Sequence, residues 1–285
     1  MKILNPHMSN NDQVTGMSRS TNIQSRVSKE ISAMKSFLTP TYLLMGVLFL
    51  MIFYLIFLCV THFSWWLLIE KGGIQIKHLE SGYWAKYIIV FSLFFLPLLY
   101  LFASFIAKRF IRIHFSRLIL YMGCTFFGAM WYEIILDTIF VKYFGQPGWL
   151  YLIWPVHGGY TSGVGMLMWP FYGFFIYCMN SAIEINPRLA RLNNGTAKTF
   201  LYAVDAMALE IIVNFFSILF FHTYLFYYLA DDLLHFTTID IFIPYLFASG
   251  LGATLSMFID LLKKNHFIVG LIFYLAGVVS LFWLC

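Results

Sequence analysis

The sequence predicts an all-α integral membrane protein, a bundle of about seven transmembrane helices with its N-terminus cytoplasmic and its C-terminus outside. Three observations lead there. Hydrophobic residues make up 61% of the 285 and charged residues only 11%, against roughly 25% charged in a soluble domain. Apolar runs close to the roughly 20 residues that cross a bilayer follow one another along the chain. Lys and Arg alternate between the connecting segments as membrane sidedness requires.

Residues 1–38 are polar and basic, with Lys2, Arg19, Arg26, Lys29 and Lys35, and are expected to form a disordered cytoplasmic tail. The polar lead is too long for a cleavable signal, as is the run that follows it. Residues 39–285 are expected to form a single transmembrane helical domain, with spans at about 41–63, 86–107, 117–141, 160–183, 199–222, 240–261 and 267–285. Pro97 and Pro170 fall inside the second and fourth, where kinks are expected. Gly159 with Gly163, and Ala248 with Gly252 and Ser256, have the four-residue spacing of close helix packing.

Charge orients the bundle. Fourteen Lys and Arg lie in the tail, in 108–117, in 188–198 and at Lys263 and Lys264, all on one side; Lys71, Lys77, Lys86 and Lys142 are the four on the other. The rich side is cytoplasmic. The outer loops are aromatic (Trp65, Trp66, Tyr83, Trp84, Trp149, Tyr151, Trp154, Tyr224, Tyr227, Tyr228) and read as an interfacial belt. Residues 145–159 are too short to span; they read as a surface loop or as a lid dipping into the outer leaflet.

The net charge of +5 follows membrane sidedness, so no nucleic-acid partner is expected. Cys59, Cys124, Cys178 and Cys285 lie in apolar segments with no CxxC spacing. No Walker A, HExxH or GxSxG sequence is present, and the histidines and aspartates of the outer side match no metal signature. No cofactor and no metal are therefore expected.

Chemistry points to the polar residues inside the spans. A carboxyl within a bilayer is costly, faces the protein interior or a water-filled cavity, and is a functional candidate by default. Glu133 and Asp137 are one helical turn apart. Counted along the helices, Glu133 lies about 24 Å from the cytoplasmic edge, Glu210 about 16 Å and Asn214 about 22 Å, so these three are expected to share one pocket. Tyr172 is expected near the depth of Glu210. Asp137, a turn from the outer edge and near Lys142, also has a solvated or salt-bridged reading. No Lys or Arg lies deep in a span, and burial without a counter-charge favours the neutral, proton-donating form of a carboxyl. A structural reading stands beside this one: a protonated glutamate can tie two helices together for about 0.6 kcal/mol.

Three stretches, CTFFGAMWYEIILD (124–137), GYTSGVGMLMWPFYGFF (159–175) and LYAVDAMALEIIVNFF (201–216), together resemble the ABC-transporter type IV family of small multispan membrane proteins. Members carry a helix with aromatic-x-Glu, a Gly-x-Thr/Ser turn leading to Pro/Ile-x-Tyr-Gly, and a helix with an aromatic-Glu pair. The resemblance covers about residues 117–260. It implies roles for Glu133, Thr161, Ser162, Tyr172, Gly173 and Glu210; Leu209 stands where the family has an aromatic.

The sequence thus leads first to an acid/base enzyme of the cyclase or isomerase kind, acting on a lipophilic, isoprenoid or lipid substrate. Glu133 and Glu210 are its catalytic candidates, and Trp131, Tyr132, Asp137, Trp169, Tyr172 and Asn214 its substrate-binding candidates. Small helical membrane cyclases of terpenes and carotenoids also rely on buried acids, an analogy of plan. Its partners are membrane lipids and the substrate. The alternatives are a permease-type or lipid-handling transporter, which would need a separate ATPase subunit if ATP-driven, and an accessory protein with structural acids. No inverted repeat is visible between the halves, which weighs against transport.

Overall fold

In hydrocarbon a segment must satisfy its own backbone N–H and C=O groups, and in the computed structural model the described residues of the apolar runs are mostly helical. The structure describes residues 27–28, 42–43, 45–54, 56–57, 60–62, 86, 89, 91–230, 232–261 and 265–283, with 91 and 255–261 described by backbone alone. The expected tail therefore lies outside the described residues except at 27–28. So do Lys71, Lys77, Asp231, Lys263, Lys264 and the aromatics at 65, 66, 83 and 84. The chain divides into Met1–Val47 and Leu48–Cys285. In the first unit the described residues are helical; the second holds the bundle.

A π-turn at Phe91–Phe95 runs into α1, Leu96–Ala107. Pro97 falls in the first turn of this helix, directly after the π-turn, where its missing N–H costs least. Helix α2 is Phe115–Phe144, α3 Gly165–Ile185, α4 Gly195–Phe221, α5 Phe242–Leu261 and α6 His266–Trp283. Three of them, α2, α4 and α6, are long and apolar enough to cross a membrane. Helix α6 leaves Ile268, Leu271, Ile272, Leu275, Val279 and Phe282 exposed along one side, while Gly270, Gly277 and Leu281 are buried. An apolar exterior of this extent belongs against lipid.

Helix packing runs α2 to α6, α2 to α3, α1 to α3 and α4 to α5. Glycines make two of these contacts possible. A Cβ at Gly270 would stand 2.5 Å from the carbonyl oxygen of Ile119, and one at Gly173 would stand 2.7 Å from Met122 Cα. Asn186 Nδ2 donates to the Ile106 carbonyl at the end of α1 (2.7 Å), and Arg117 meets Glu184 at 3.5 Å. The basic α1–α2 and α3–α4 turns therefore share one end of the bundle.

At the other end the chain makes two short ribbons. Strand β1, Trp149–Tyr151, is followed by β2, Pro155–Val156, and β3, Thr161–Ser162; β4 is Phe226–Tyr228. β2 pairs with β3 through a turn that includes Gly159 (φ 98°). β1 pairs antiparallel with β4, Trp149 opposite Tyr228, Leu150 opposite Tyr227 and Tyr151 opposite Phe226.

This last pairing exposes a duplication. Ala-Met-x-x-Glu-Ile-Ile-Leu-Asp (129–137) recurs as Ala-Met-x-x-Glu-Ile-Ile-Val-Asn (206–214), 77 residues on. Each helix continues from its glutamate to a phenylalanine, Phe144 or Phe221, and turns at a left-handed residue, Gly145 (φ 76°) or His222 (φ 54°). Each then enters a strand ending in a tyrosine, and the next helix follows. Leu150 and Tyr227, equivalent under the 77-residue shift, lie opposite each other, as two-fold symmetry requires. Units α2–β1–α3 and α4–β4–α5 are thus parallel repeats, and α1 and α6 lie outside them.

Candidate functional site

Each repeat hands a tyrosine back to its own glutamate, at the same spacing of 18 residues. The strands achieve this by alternation. Trp149, Tyr151, Phe226 and Tyr228 are buried, while Leu150 and Tyr227 are only partly so. The inward aromatics pair across the ribbon, Trp149 with Tyr228 at 5.7 Å and Tyr151 with Phe226 at 5.5 Å between ring centroids. Residues 145–159 are therefore no surface loop. With 222–230 and 232–241 they cap the bundle from within, and Tyr151, Tyr224 and Tyr228 are buried, not arrayed as an interfacial belt.

Glu133, only 6% exposed, accepts a short hydrogen bond from Tyr151 and a longer one from Trp169 Nε1 (3.4 Å). Glu210 accepts from three hydroxyls: Tyr228 (2.6 Å) and Tyr245 (2.5 Å) on Oε1, and Thr237 (2.6 Å) on Oε2. Both carboxyls line one cavity of about 10 Å³ with Tyr132, Trp149, Tyr151, Trp169, Phe226, Tyr228 and Tyr245, space for at most a single water. Burial first, then the neighbouring glutamate, raises the Tyr151 and Tyr228 phenols well above the usual tyrosine range. Both thus remain neutral donors.

A larger cavity of about 470 Å³, lined by neither glutamate, meets theirs at the shared walls Tyr132, Trp169 and Tyr245, and is within the size range of small-molecule sites, roughly 300–1,000 Å³. Tyr132, Trp169, Tyr172 and Tyr245 border it near the acids, and Tyr121, Asn180 and Tyr202 lie toward the basic end. The last three are linked, Tyr202 donating to Asn180 Oδ1 (2.6 Å) and Asn180 Nδ2 to the Tyr121 oxygen (3.3 Å). Tyr132 and Tyr245 stack at 5.9 Å. The lining includes the repeat-related pairs Thr125/Tyr202, Ala129/Ala206 and Tyr172/Ser249, so the chamber lies between the repeats.

Of the residues singled out from sequence, Glu133, Glu210, Tyr132, Trp169 and Tyr172 come together here. Trp131, Asp137 and Asn214 do not line the chamber. Trp131 packs with Phe126, Met130 and Leu281 toward α6. Asp137, fully buried and not solvated, accepts from the N–H groups of Gly148 (2.6 Å) and Trp149. Asn214 does the same at the equivalent positions, accepting from Leu225 N (3.0 Å) and Phe226 N (3.4 Å) and donating to Phe236 O (3.2 Å). The two residues tether the cap. Asn214 is also not level with Glu133. The N-terminal ends of α2 and α4 are ragged, whereas each glutamate is eleven residues, about 16 Å, from the C-terminal end of its helix. Ser162 likewise holds the cap, donating to Ile153 O (2.5 Å) and accepting from Val164 N (3.1 Å).

Sequence reading missed Tyr151, Tyr228, Tyr245 and Thr237. The first two had a signal, the common spacing from each glutamate; the others come from later elements and had none. Ala248 and Gly252, read as helix packing, line the chamber instead. Among the described residues no group of His, Cys, Asp and Glu is arranged to hold a metal. Comparison with family models, curated proteins and solved structures finds no match to this chain.

Proposed function

We propose that this is a multi-pass membrane enzyme in which Glu133 and Glu210 act as acid and base on a lipophilic substrate, in an isomerisation or cyclisation. The observation that carries the reading is that the two repeats present their glutamates to one aromatic-walled cavity beside a chamber of ligand size. The carboxyls are unequally solvated. Glu210 has three hydroxyl donors and is the better holder of negative charge; Glu133, with a phenol and a distant indole, is the proton donor.

Glu133 gives its proton to an alkene carbon of the substrate, and the resulting cation rests against the faces of Tyr132, Trp169, Tyr172 and Tyr245. Glu210 removes a proton from a neighbouring carbon, leaving a rearranged double bond. The product is an isomer of the substrate. Glu210 gives that proton up to water and Glu133 takes one from water, which resets the site with no net oxidation or reduction. The resemblance to the ABC-transporter type IV family falls in part on these residues, Glu133, Tyr172 and Glu210.

The same reading takes the chain to cross the membrane seven times with a cytoplasmic N-terminus. Its support is the 14-to-4 division of Lys and Arg and the gathering of the α1–α2 and α3–α4 turns at one end.

The test is lipid extracts of cells expressing the protein, separated by chromatography and mass. Glu133→Gln and Glu210→Gln should each abolish a product that the wild type makes, at equal expression and extraction. A product that persists in both variants refutes the reading. The parallel repeat favours a second reading, because some secondary transporters bind substrate between such repeats. That reading requires pH-dependent uptake into vesicles, shifted by the same substitutions, with the lipids unaltered.

A further inference from the structure

Helix-interior glycine costs roughly 1 kcal/mol against alanine, and at four positions in this protein that cost has a visible reason. Gly123, Gly173, Gly270 and Gly277 stand where a Cβ would strike a neighbouring helix. Gly128 in α2 and Gly252 in α5 do not, nor does Gly250 of α5, whose Cβ would meet only Thr199 at 3.7 Å. A Cβ at Gly128 or Gly252 meets nothing within 4 Å, both are exposed, and both line the 470 Å³ chamber. The chamber thus reaches the outside of the bundle between these two glycines. Gly128 is thirteen residues, about 20 Å, into α2, and Gly252 is in the middle of α5. Such a mouth faces hydrocarbon.

The duplication supplies an internal control. Seventy-seven residues away, the positions equivalent to Gly128 and Gly252 are Asp205 and Phe175. That side is closed. Phe102 of α1 stacks on Phe175 of α3 (6.4 Å), and Phe95 and Phe94 pack on Phe216 and Phe220 of α4 (5.7 and 6.0 Å). The π-turn and α1 together bridge the α3–α4 side. Between α2 and α5 no described element does so, and Phe247 and Leu251 beside the mouth are more than half exposed.

We infer that the gap between α2 and α5 is a lateral mouth through which a single-chain lipid with an uncharged, oxygen-bearing head reaches the chamber from within the bilayer. The fate of the bound lipid rests on the acid–base reading of Glu133 and Glu210, whereas its binding does not require that reading. None of the lining residues is Lys or Arg, and Arg117, 5.8 Å over the Tyr121 ring, is already paired with Glu184, so a phosphate or carboxylate head finds no cation in the chamber wall. The Tyr121–Asn180–Tyr202 cluster offers phenol and amide groups suited to an alcohol, aldehyde or ester oxygen. From Tyr121 to Tyr132 beside the acids is eleven residues of α2, about 16 Å. A chain of that extent places its double bonds at Glu133 and Glu210 with its head at Asn180.

The test uses the full chain in phosphatidylcholine nanodiscs and a long-chain alcohol bearing a diazirine and an alkyne, compared with its phosphate ester. The alcohol should label peptides of α2 and α5, and the ester should label them at least about tenfold less. Gly128→Phe and Gly252→Phe, at sites with open space, should each lower alcohol labelling about tenfold while thermal stability is kept. Val204→Phe, a bulky change on the lipid-facing side of α4, should leave labelling alone. Glu133→Gln should keep the labelling while losing turnover, which separates failure of the mouth from failure of the chemistry. Undiminished labelling in both phenylalanine variants, or equal labelling by the ester, overturns the inference.

Discussion

Replacing Glu210 by glutamine and by alanine separates what this carboxyl does for the fold from what it does for chemistry. Tyr228, Tyr245 and Thr237 all aim their hydroxyls at it. Glutamine keeps one carbonyl oxygen for the two phenols and turns its NH2 toward Thr237, whose hydroxyl can rotate to accept. The loss is one altered hydrogen bond, about 1 kcal/mol. Alanine leaves three donors without an acceptor. Thr237 and Tyr228 are 0% and 2% exposed and cannot turn to solvent, so each carries the cost of a stranded buried donor, about 1–3 kcal/mol. Tyr245 borders the larger chamber and carries less. Glu210→Ala should therefore destabilise by about 2–6 kcal/mol and Glu210→Gln by about 1. Thermal inactivation in one detergent, read as the monodisperse fraction after heating, measures the difference. Both variants should lose about 10²–10⁴ of turnover, the usual contribution of a general acid or base. Equal stability of the two variants would refute the hydroxyl cluster, and turnover retained by the glutamine variant would refute the chemistry.

Other consequences come from the repeat and the packing. Asn214→Leu strips two N–H groups and a carbonyl of the cap of their partner and should cost about 2–5 kcal/mol, measured by the same heating assay. Asp137→Asn should be tolerated within about 1 kcal/mol, because Asn214 already does the equivalent work with an amide oxygen. Gly173→Val drives a side chain into the α2 backbone and should cost about 1–3 kcal/mol or more, whereas Gly128→Ala should stabilise by about 0.5–1 kcal/mol. The buried Tyr151 and Tyr228 bind their protons more tightly folded than unfolded, so stability should be flat below pH ~10 and fall above it. Tyr151→Phe and Tyr228→Phe should each flatten that fall in an alkaline unfolding series.

The helices were legible because apolar runs in a bilayer have little choice but to close their own hydrogen bonds. The glutamates were legible because charge there is rare. Depth was less so: counting from the ragged N-terminal ends of α2 and α4 put Asn214 level with Glu133, while counting from their matched C-terminal ends gives Glu210. The cap was hidden because aromatics in a loop look the same whether they line an interface or fold inward. Only the alternation in Trp149–Tyr151 and Phe226–Tyr228 distinguished them. The repeat was there in Ala-Met-x-x-Glu-Ile-Ile, but few identities surround it, and Leu209 replaces the aromatic Tyr132. Gly252 had the spacing of a packing glycine; its open surroundings become visible only once α2 and α5 are seen to stand apart.

Proton transfer from Glu133 to substrate carbon is the central claim, and it leaves an isotopic mark on the product whatever the substrate is. Purified protein in nanodiscs, supplied with a total lipid extract in D2O, should produce one lipid species carrying a carbon-bound deuterium that does not wash out, absent with Glu133→Gln. A lipid pool that gains no fixed deuterium over the wild-type protein, at a concentration where the long-chain alcohol probe labels the chamber, would contradict the account.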